Sequence, residues 1–439
     1  MGNGGYDVAH YGLTLAYEPK SQQLTGTAEI TARATKELSA FNLDLKGLDV
    51  RSVTVDGRTA ETARAGQELT VRPHDDIGKG VEFRTTVRYA GKPVTITDPD
   101  GSEEGWLRSG DGALGLGEPT GSMAWYPGNH HPSDKASYDI AITVPEGLKA
   151  VSNGELRSER TSGGRTTFRW HAGEPVASYV ATVAIGPYET KTYEIKAADG
   201  RKLPVYVAVD PAEAKTSEKV LDRIPEIVAW EEKNFGAYPF SSTGAVVARD
   251  GAAGYALETQ NRPVFPGAPD LGTLIHEMAH QWCGDSVTPK SWRDMWLNEG
   301  FATYAEWMWD EDHGGDSAQH TFDALYRGDY YDDAKEGKAV WAYPPATPSS
   351  AAHISDSPVY ERGAMVLHKV RQTVGDDTFH SILKGWAAAH RHGNAGTADF
   401  IAYVEKVAGG DAGPTSSRMS KLRYIWASWL YGDGKPSSP

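Results

Sequence analysis

Residues 274–285 read LIHEMAHQWCGD, and the interpretation of the whole chain turns on them. His276 and His280 stand four residues apart, with Glu277 directly after the first. On an α-helix that spacing offsets two side chains by only about 40° around the axis and one turn along it, so two imidazoles can share one metal ion. Glu277 falls about 100° further round, beside the ion rather than on it, where it can reach a water held there. The flanking residues support a helix. Leu271, Leu274, Ile275, Met278 and Trp282 make an apolar stripe, and Gly284 can end the helix in a left-handed conformation.

The H-E-x-x-H pattern is a zinc signature in which the two histidines bind the metal and the glutamate acts as general base. Alone it is moderately specific, because histidines on a helix also serve as hydrogen-bonded structural residues, and a third ligand must decide. The metzincin branch needs glycine at 283 and histidine at 286, where this chain has Cys283 and Ser286, and is excluded. Residues 291–315, SWRDMWLNEGFATYAEWMWDEDHGG, read as a second helix ending at Gly314-Gly315. The intervening GDSVTPKS (284–291) gives room to turn and bring that helix back alongside the first. Glu299 would then complete a His-His-Glu set that leaves the fourth position open to water, the mark of a catalytic zinc site. Glu306, seven residues on, returns to nearly the same face and could accept the free ring N–H of a ligand histidine.

The rest of the chain must be large enough to hold such a site. At 439 residues it exceeds one hydrophobic core, so two or three domains are expected. Hydrophobic residues at 39% and 13 tryptophans argue against disorder. No apolar run approaches the roughly 20 residues of a membrane span, so no membrane partner is expected. The formal net charge of -15 repels nucleic acid and anionic surfaces and would suit a cationic ligand. The single cysteine, Cys283, excludes an internal disulfide framework and is expected to be a small buried side chain. The start, MGNGGYDVAHY, lacks the segments of a secretory signal, which leaves a cytoplasmic protein or one whose leader was removed.

From Tyr6 to about Tyr188 the pattern has period two. Tyr11, Leu13, Leu15 and Tyr17 alternate with polar or small residues, as do Ala28, Ile30 and Ala32. Turn signals at Asp56-Gly57 and Asn153-Gly154 fit an antiparallel sheet domain over residues 1–200. After residue 200 helical spacing takes over, beginning with Val220, Ile224, Ile227, Val228 and Trp230. Residues 201–439 thus form a second, mainly helical domain, with strands expected at GAVVARD (244–250) and GYALETQ (254–260). The Pro/Ser-rich stretch 343–358 reads as a surface loop within it.

At HEMAHQWCGD (276–285) and WLNEGFATYAE (296–306) the sequence resembles the aminopeptidase N family of zinc metallopeptidases, or gluzincins, which also holds the leukotriene-type epoxide hydrolases. The resemblance runs from about residue 6 to about 432. GYALETQ is similar to the family's Gly-x-Met-Glu-Asn strand motif, which implies that Gly254 and Glu258 face the substrate and that Glu258 holds its free amino group. SPVYERGAMVLHKVR (357–371) looks like the segment with the catalytic tyrosine, here Tyr360. EPTGSMAWYPGNHHPSDKASYDIAITVP (118–145) is similar to the N-terminal-domain segment whose acid, here Glu118, also reaches the amine. The resemblance implies a saddle-like N-terminal antiparallel β domain followed by a thermolysin-like, mainly helical zinc metallopeptidase domain, without the C-terminal domains of larger members. Compact members of this kind are typically secreted bacterial proteins, which favours the removed leader. Two departures, Leu116 for the usual glutamine and Thr259 for the asparagine, mean that side-chain preference cannot be copied from the family.

The residue chemistry agrees with this. Glu277 would take a proton from the attacking water and pass it to the leaving amine, and Tyr360, a phenol that donates without ionising, would stabilise the oxyanion. A protonated N-terminus calls for carboxylates, which Glu258 and Glu118 would provide. The expected protein is an aminopeptidase with one Zn2+ per chain, acting on peptides with a free N-terminus. An endopeptidase or epoxide hydrolase using the same site, and a non-catalytic interaction protein of the same fold, are the alternatives. The sequence leaves the preferred N-terminal residue and the oligomeric state open.

Overall fold

The computed structural model describes residues 2–410 and 416–438. Its chain divides by packing into two compact units. The first holds the chain up to Lys196 together with Lys202–Ile224 and Phe240–Pro269, and the second holds Ala197–Arg201, Pro225–Pro239 and the chain from Asp270 on. A boundary between residues 200 and 201 stays a proposal for where the two halves part.

The first unit is built of sheets. Strands Tyr6–Glu18 and Gln23–Ala34 pair antiparallel with Tyr11 opposite Ile30 and Leu13 opposite Ala28. Tyr11, Leu13, Leu15 and Tyr17 are each no more than 2% exposed, so the alternation in the sequence is the inner face of this pair. They belong to an eight-stranded sheet that is antiparallel but for one pair, Tyr6–Glu18 beside Lys135–Pro145, which run parallel with Leu13 opposite Ile140. Asp56-Gly57 turns a hairpin, with Thr54 opposite Thr59 and both turn residues left-handed. Asn153-Gly154 does something else. It passes the chain from Lys149–Ser152, which pairs with Val183–Gly186, into Glu155–Ser162 of the large sheet. A second sheet of five strands contains the hairpin Glu103–Ser109 and Gly112–Leu116, which leads into Glu118.

A third sheet orders Glu189–Lys196, Lys202–Val209, Thr243–Ala248 and Val264–Pro266. The expected strand at residues 244–250 is therefore present as Thr243–Ala248, and the one at 254–260 is not. Leu257 makes a single antiparallel bridge to Val264, after which the segment closes a tight turn. In that turn Arg262 N–H donates to Thr259 O at 3.0 Å, and Asn261 takes φ of 73°. A residue in that conformation cannot continue a strand, so Glu258 lies at the mouth of a turn rather than along an edge.

The second unit is mainly helical. The run 219–235 is two helices, Ala214–Leu221, which belongs to the first unit, and Ile224–Phe235, because Pro225 cannot donate within a helix interior but fits a first turn. The helix Leu271–Ala279 starts at Asp270, whose side chain accepts from Thr273 N–H at 2.8 Å. It stops earlier than Gly284. From His280 the chain coils through wider turns, with the amides of Asp285, Ser286 and Val287 each bonded five residues back. The helix Trp296–Asp312 is buried along almost its whole length. It crosses Gly363–Val374 at Gly300 and Gly363, where a Cβ on Gly300 would fall 2.9 Å from the Gly363 carbonyl carbon. This glycine pair lets the two backbones meet, and the turn just before Gly363 carries Tyr360.

Candidate active site

The last turn of Leu271–Ala279 and the residue that caps it leave His276 and His280 projecting from one face, with ring centroids 4.7 Å apart. Nε2 of His276 lies 3.1 Å from Oε2 of Glu299, and Nε2 of His280 lies 3.3 Å from the same oxygen. The three groups are well removed from solvent, with side chains 13%, 1% and 3% exposed in that order.

The far side of each ring determines what these atoms are. Nδ1 of His276 is 2.7 Å from Oε1 of Glu306, and Nδ1 of His280 is 3.1 Å from the carbonyl oxygen of Cys283. Carboxylates and carbonyls only accept hydrogen bonds, so both Nδ1 atoms carry their proton. In the neutral imidazoles the Nε2 lone pairs must then face the carboxylate of Glu299. Two nitrogen lone pairs and a carboxylate oxygen converging in a buried place call for a cation, and two imidazoles with one carboxylate suit zinc. Burial opposes a charge on His276, but the hydrogen bonds to Glu299 and Glu306 outweigh it and hold its proton well above the ordinary histidine range. Burial likewise works against the Glu299 anion, yet the His280 charge and both ring hydrogen bonds keep its carboxyl well below the usual carboxylate range.

Glu277 is 7% exposed, and one of its carboxylate oxygens lies within 4.8 Å of a His280 ring nitrogen. Tyr360 sits on a single π-helical turn, Pro358–Arg362, of the kind that recurs at functional sites. Its ring lies nearly parallel to that of His276, with 6.0 Å between centroids and 12° between planes. Gly284 closes the arrangement from below, at φ of 136°, where a Cβ would fall 2.1 Å from Oδ1 of Asn298 and 3.0 Å from Nδ1 of His280.

In the first unit, Glu118 and Glu258 present carboxylate oxygens within 4.8 Å of one another. Tyr255 lies among the same acids, and its phenol is pushed up by burial and then by the charges of Glu104, Glu118, Asp98 and Glu258. Gly254 is different. It is exposed at a bend, and a Cβ there would meet nothing within 4 Å, so no close approach requires glycine.

Two contributors escaped the sequence reading. The Cys283 carbonyl is a backbone group, so residue type carries no sign of it, while the buried Cys283 side chain only packs. Glu104 is fully buried in the strand EEGWLRS, beside the apolar Trp106 and Leu107, and an acid at an inward position was the available signal.

Comparison with known proteins agrees along most of the chain. Residues 270–429 match the model of the peptidase family M1 domain, and residues 8–180 match that of the peptidase M1 N-terminal domain. Aminopeptidase N of Streptomyces lividans is 26% identical over 64% of this chain and 34% of its own length. Probable aminopeptidase 1 of Sulfurisphaera tokodaii is 24% identical over 98% of this chain and 53% of its own length. The chain thus spans a third to about half of these curated relatives. An M1 zinc metallopeptidase from Deinococcus radiodurans superposes with a TM-score of 0.86 at 27% identity, covering 100% of this chain and 96% of that one. A mutant of such an enzyme, solved with the substrate Tyr-Ser-Ala, gives a TM-score of 0.87 at 27% identity over 99% and 96% of the two chains.

Proposed function

Because the chain belongs to peptidase family M1, we propose that it is a zinc aminopeptidase, hydrolysing the N-terminal peptide bond of peptides. The observation that carries this reading is the convergence of two imidazole lone pairs and the Glu299 carboxylate on one point. His276, His280 and Glu299 would hold the metal. Zinc bound there would supply a Lewis acid that polarises the scissile carbonyl and acidifies a coordinated water.

The chain's own residues do the rest. Glu277 takes the proton of the attacking water and delivers it to the leaving amine. Tyr360, fixed on its π-turn, donates a hydrogen bond to the oxygen on which charge develops. Glu306 and the Cys283 carbonyl hold the two imidazoles in the tautomer that offers Nε2. Glu118 and Glu258 bind the substrate's ammonium group, which distinguishes a chain end from an internal bond. Two carboxylates this close repel unless a cation lies with them, and an N-terminal ammonium is such a cation. The D. radiodurans relative solved with Tyr-Ser-Ala, a peptide, supports the substrate class.

Matched peptides with free and N-acetylated termini, incubated with and without chelator and read by mass spectrometry, test this. Loss of one residue at a time from the free peptide only, abolished by chelator, is expected. Efficient internal cleavage of the acetylated peptide would make the protein an endopeptidase instead.

A further inference from the structure

Glu104 lies on the strand Glu103–Ser109 and is 0% exposed. A carboxylate so far from water must find donors within the protein. It finds three. Oε2 accepts the N–H of Thr120 at 2.8 Å and the N–H of Gly121 at 2.7 Å, and Oε1 accepts the Thr120 hydroxyl at 2.7 Å. Asp98 adds a side-chain hydrogen bond. Burial and then the charge of Glu104 push the Asp98 carboxyl up to about 8.

These bonds act on a short loop. Leu116 is still paired with Gly105, and Gly121 opens the helical turn Gly121–Ala124, so residues 117–120 are all that lies between two anchored points. Gly121 sits against the strand so closely that a Cβ would fall 2.2 Å from the Leu116 carbonyl oxygen and 2.5 Å from the Gly105 nitrogen. Ser122 Oγ donates to Ser178 O at 2.5 Å, tying the far end of the loop. Glu118 is the one acid on this loop, two residues before the first amide that Glu104 holds.

We propose that Glu104 is the positioning residue for Glu118, its buried carboxylate fixing the Thr120–Gly121 amides so that the Glu118 carboxylate stands beside that of Glu258. This rests on the assignment of Glu118 to the substrate's ammonium group. Two like charges do not approach one another of their own accord, so one of them must be held in place from behind. Glu104 never meets substrate; it acts through the loop.

The test is a double-mutant cycle on a free-amine aminoacyl chromogenic substrate, with zinc content and thermal melting recorded for every variant. Glu104→Gln keeps the volume but replaces one acceptor oxygen with an NH2 that faces N–H donors. It should lower kcat/KM about tenfold or more, the worth of one charge-assisted hydrogen bond, with zinc content unchanged. In a Glu118→Ala background the same change should cost little more, because two residues that act as one unit do not add. Should Glu104→Gln fail to fold, Thr120→Val removes only the hydroxyl donor and should cost about threefold, again only while Glu118 is present. Equal losses in both backgrounds would show that Glu104 serves the fold in general and would overturn the proposal. Full activity in Glu104→Gln beside a loss in Glu118→Ala would overturn it alone and leave the ammonium assignment standing. No loss in Glu118→Ala itself would remove that assignment and the proposal with it.

Discussion

Glu306 accepts a hydrogen bond from Nδ1 of His276 at 2.7 Å. The contact joins two helices, and it fixes which nitrogen of His276 is left for a metal. Removing such an orienting partner typically costs about 10- to 100-fold in metal affinity. Glu306→Ala should therefore bind zinc about 10- to 100-fold more weakly, measured by competition with a chromophoric chelator, with its melting curve otherwise preserved. Undiminished affinity would place Glu306 among ordinary surface charges.

Glu299 and Glu277 should part company on substitution. Glu299→Ala loses zinc, since it deletes the oxygen on which both Nε2 atoms converge. Glu277→Gln keeps zinc and loses turnover by several orders of magnitude, because a general base acts only in the reaction. Metal analysis beside kinetics separates the two, and the reverse pattern would exchange the roles assigned to them.

Tyr360→Phe retains the ring stacked on His276 and removes only the hydroxyl. By analogy with other oxyanion donors, kcat should fall about 10²-fold or more while KM moves little. An unchanged kcat would leave Tyr360 a packing residue of its turn.

Glu258→Ala should lower kcat/KM on free-amine peptides by about 10- to 100-fold, since a hydrogen bond to a buried charge is worth about 1.5 to 3 kcal/mol. Matched free and acetylated peptides give the reading. A variant as active as its parent on the free peptide would detach Glu258 from the amine.

Asp134 links stability to pH. Burial, its largest cause, pushes this carboxyl up to about 7, although Val8 N–H and Asn129 donate to it. Unfolded, it titrates at about 3.9. Between those values the folded chain holds a proton that the unfolded chain has lost, so its contribution is full below about pH 3.9 and is lost as the pH rises through about 7. Urea unfolding at pH 5 and pH 8 should show a smaller drop for Asp134→Asn than for the parent. Equal drops would mean that Asp134 is ionised in the folded protein throughout.

What could be read from the sequence was what depends on short-range periodicity. Helix geometry alone puts His276 and His280 on one face and Glu277 beside them, and a seven-residue return puts Glu306 on the face of Glu299. The alternation of Tyr11, Leu13, Leu15 and Tyr17 marks a buried strand face whichever strand lies alongside. The partner itself was out of reach, because the parallel pairing of Tyr6–Glu18 with Lys135–Pro145 joins residues over a hundred positions apart. At residues 254–260 the β-like composition was misleading, since the left-handed Asn261 ends the extended run in a turn. The end of the zinc helix at Ala279 was read too late, because Gly284, left-handed as expected, lies beyond the wider turns that follow His280.

Arg362 closes the turn that bears Tyr360, and it is completely buried. Its guanidinium donates to the carbonyl oxygens of Trp429 at 2.9 Å, Ser428 at 3.3 Å and Gly432 at 2.5 Å, and to that of Tyr343 at 3.2 Å. Three of these four acceptors come from the last dozen residues of the chain. The turn that bears Tyr360 is thus anchored by carbonyls more than sixty residues further along the chain, and a chain cut ahead of Ser428 would keep His276, His280 and Glu299 and lose that anchor.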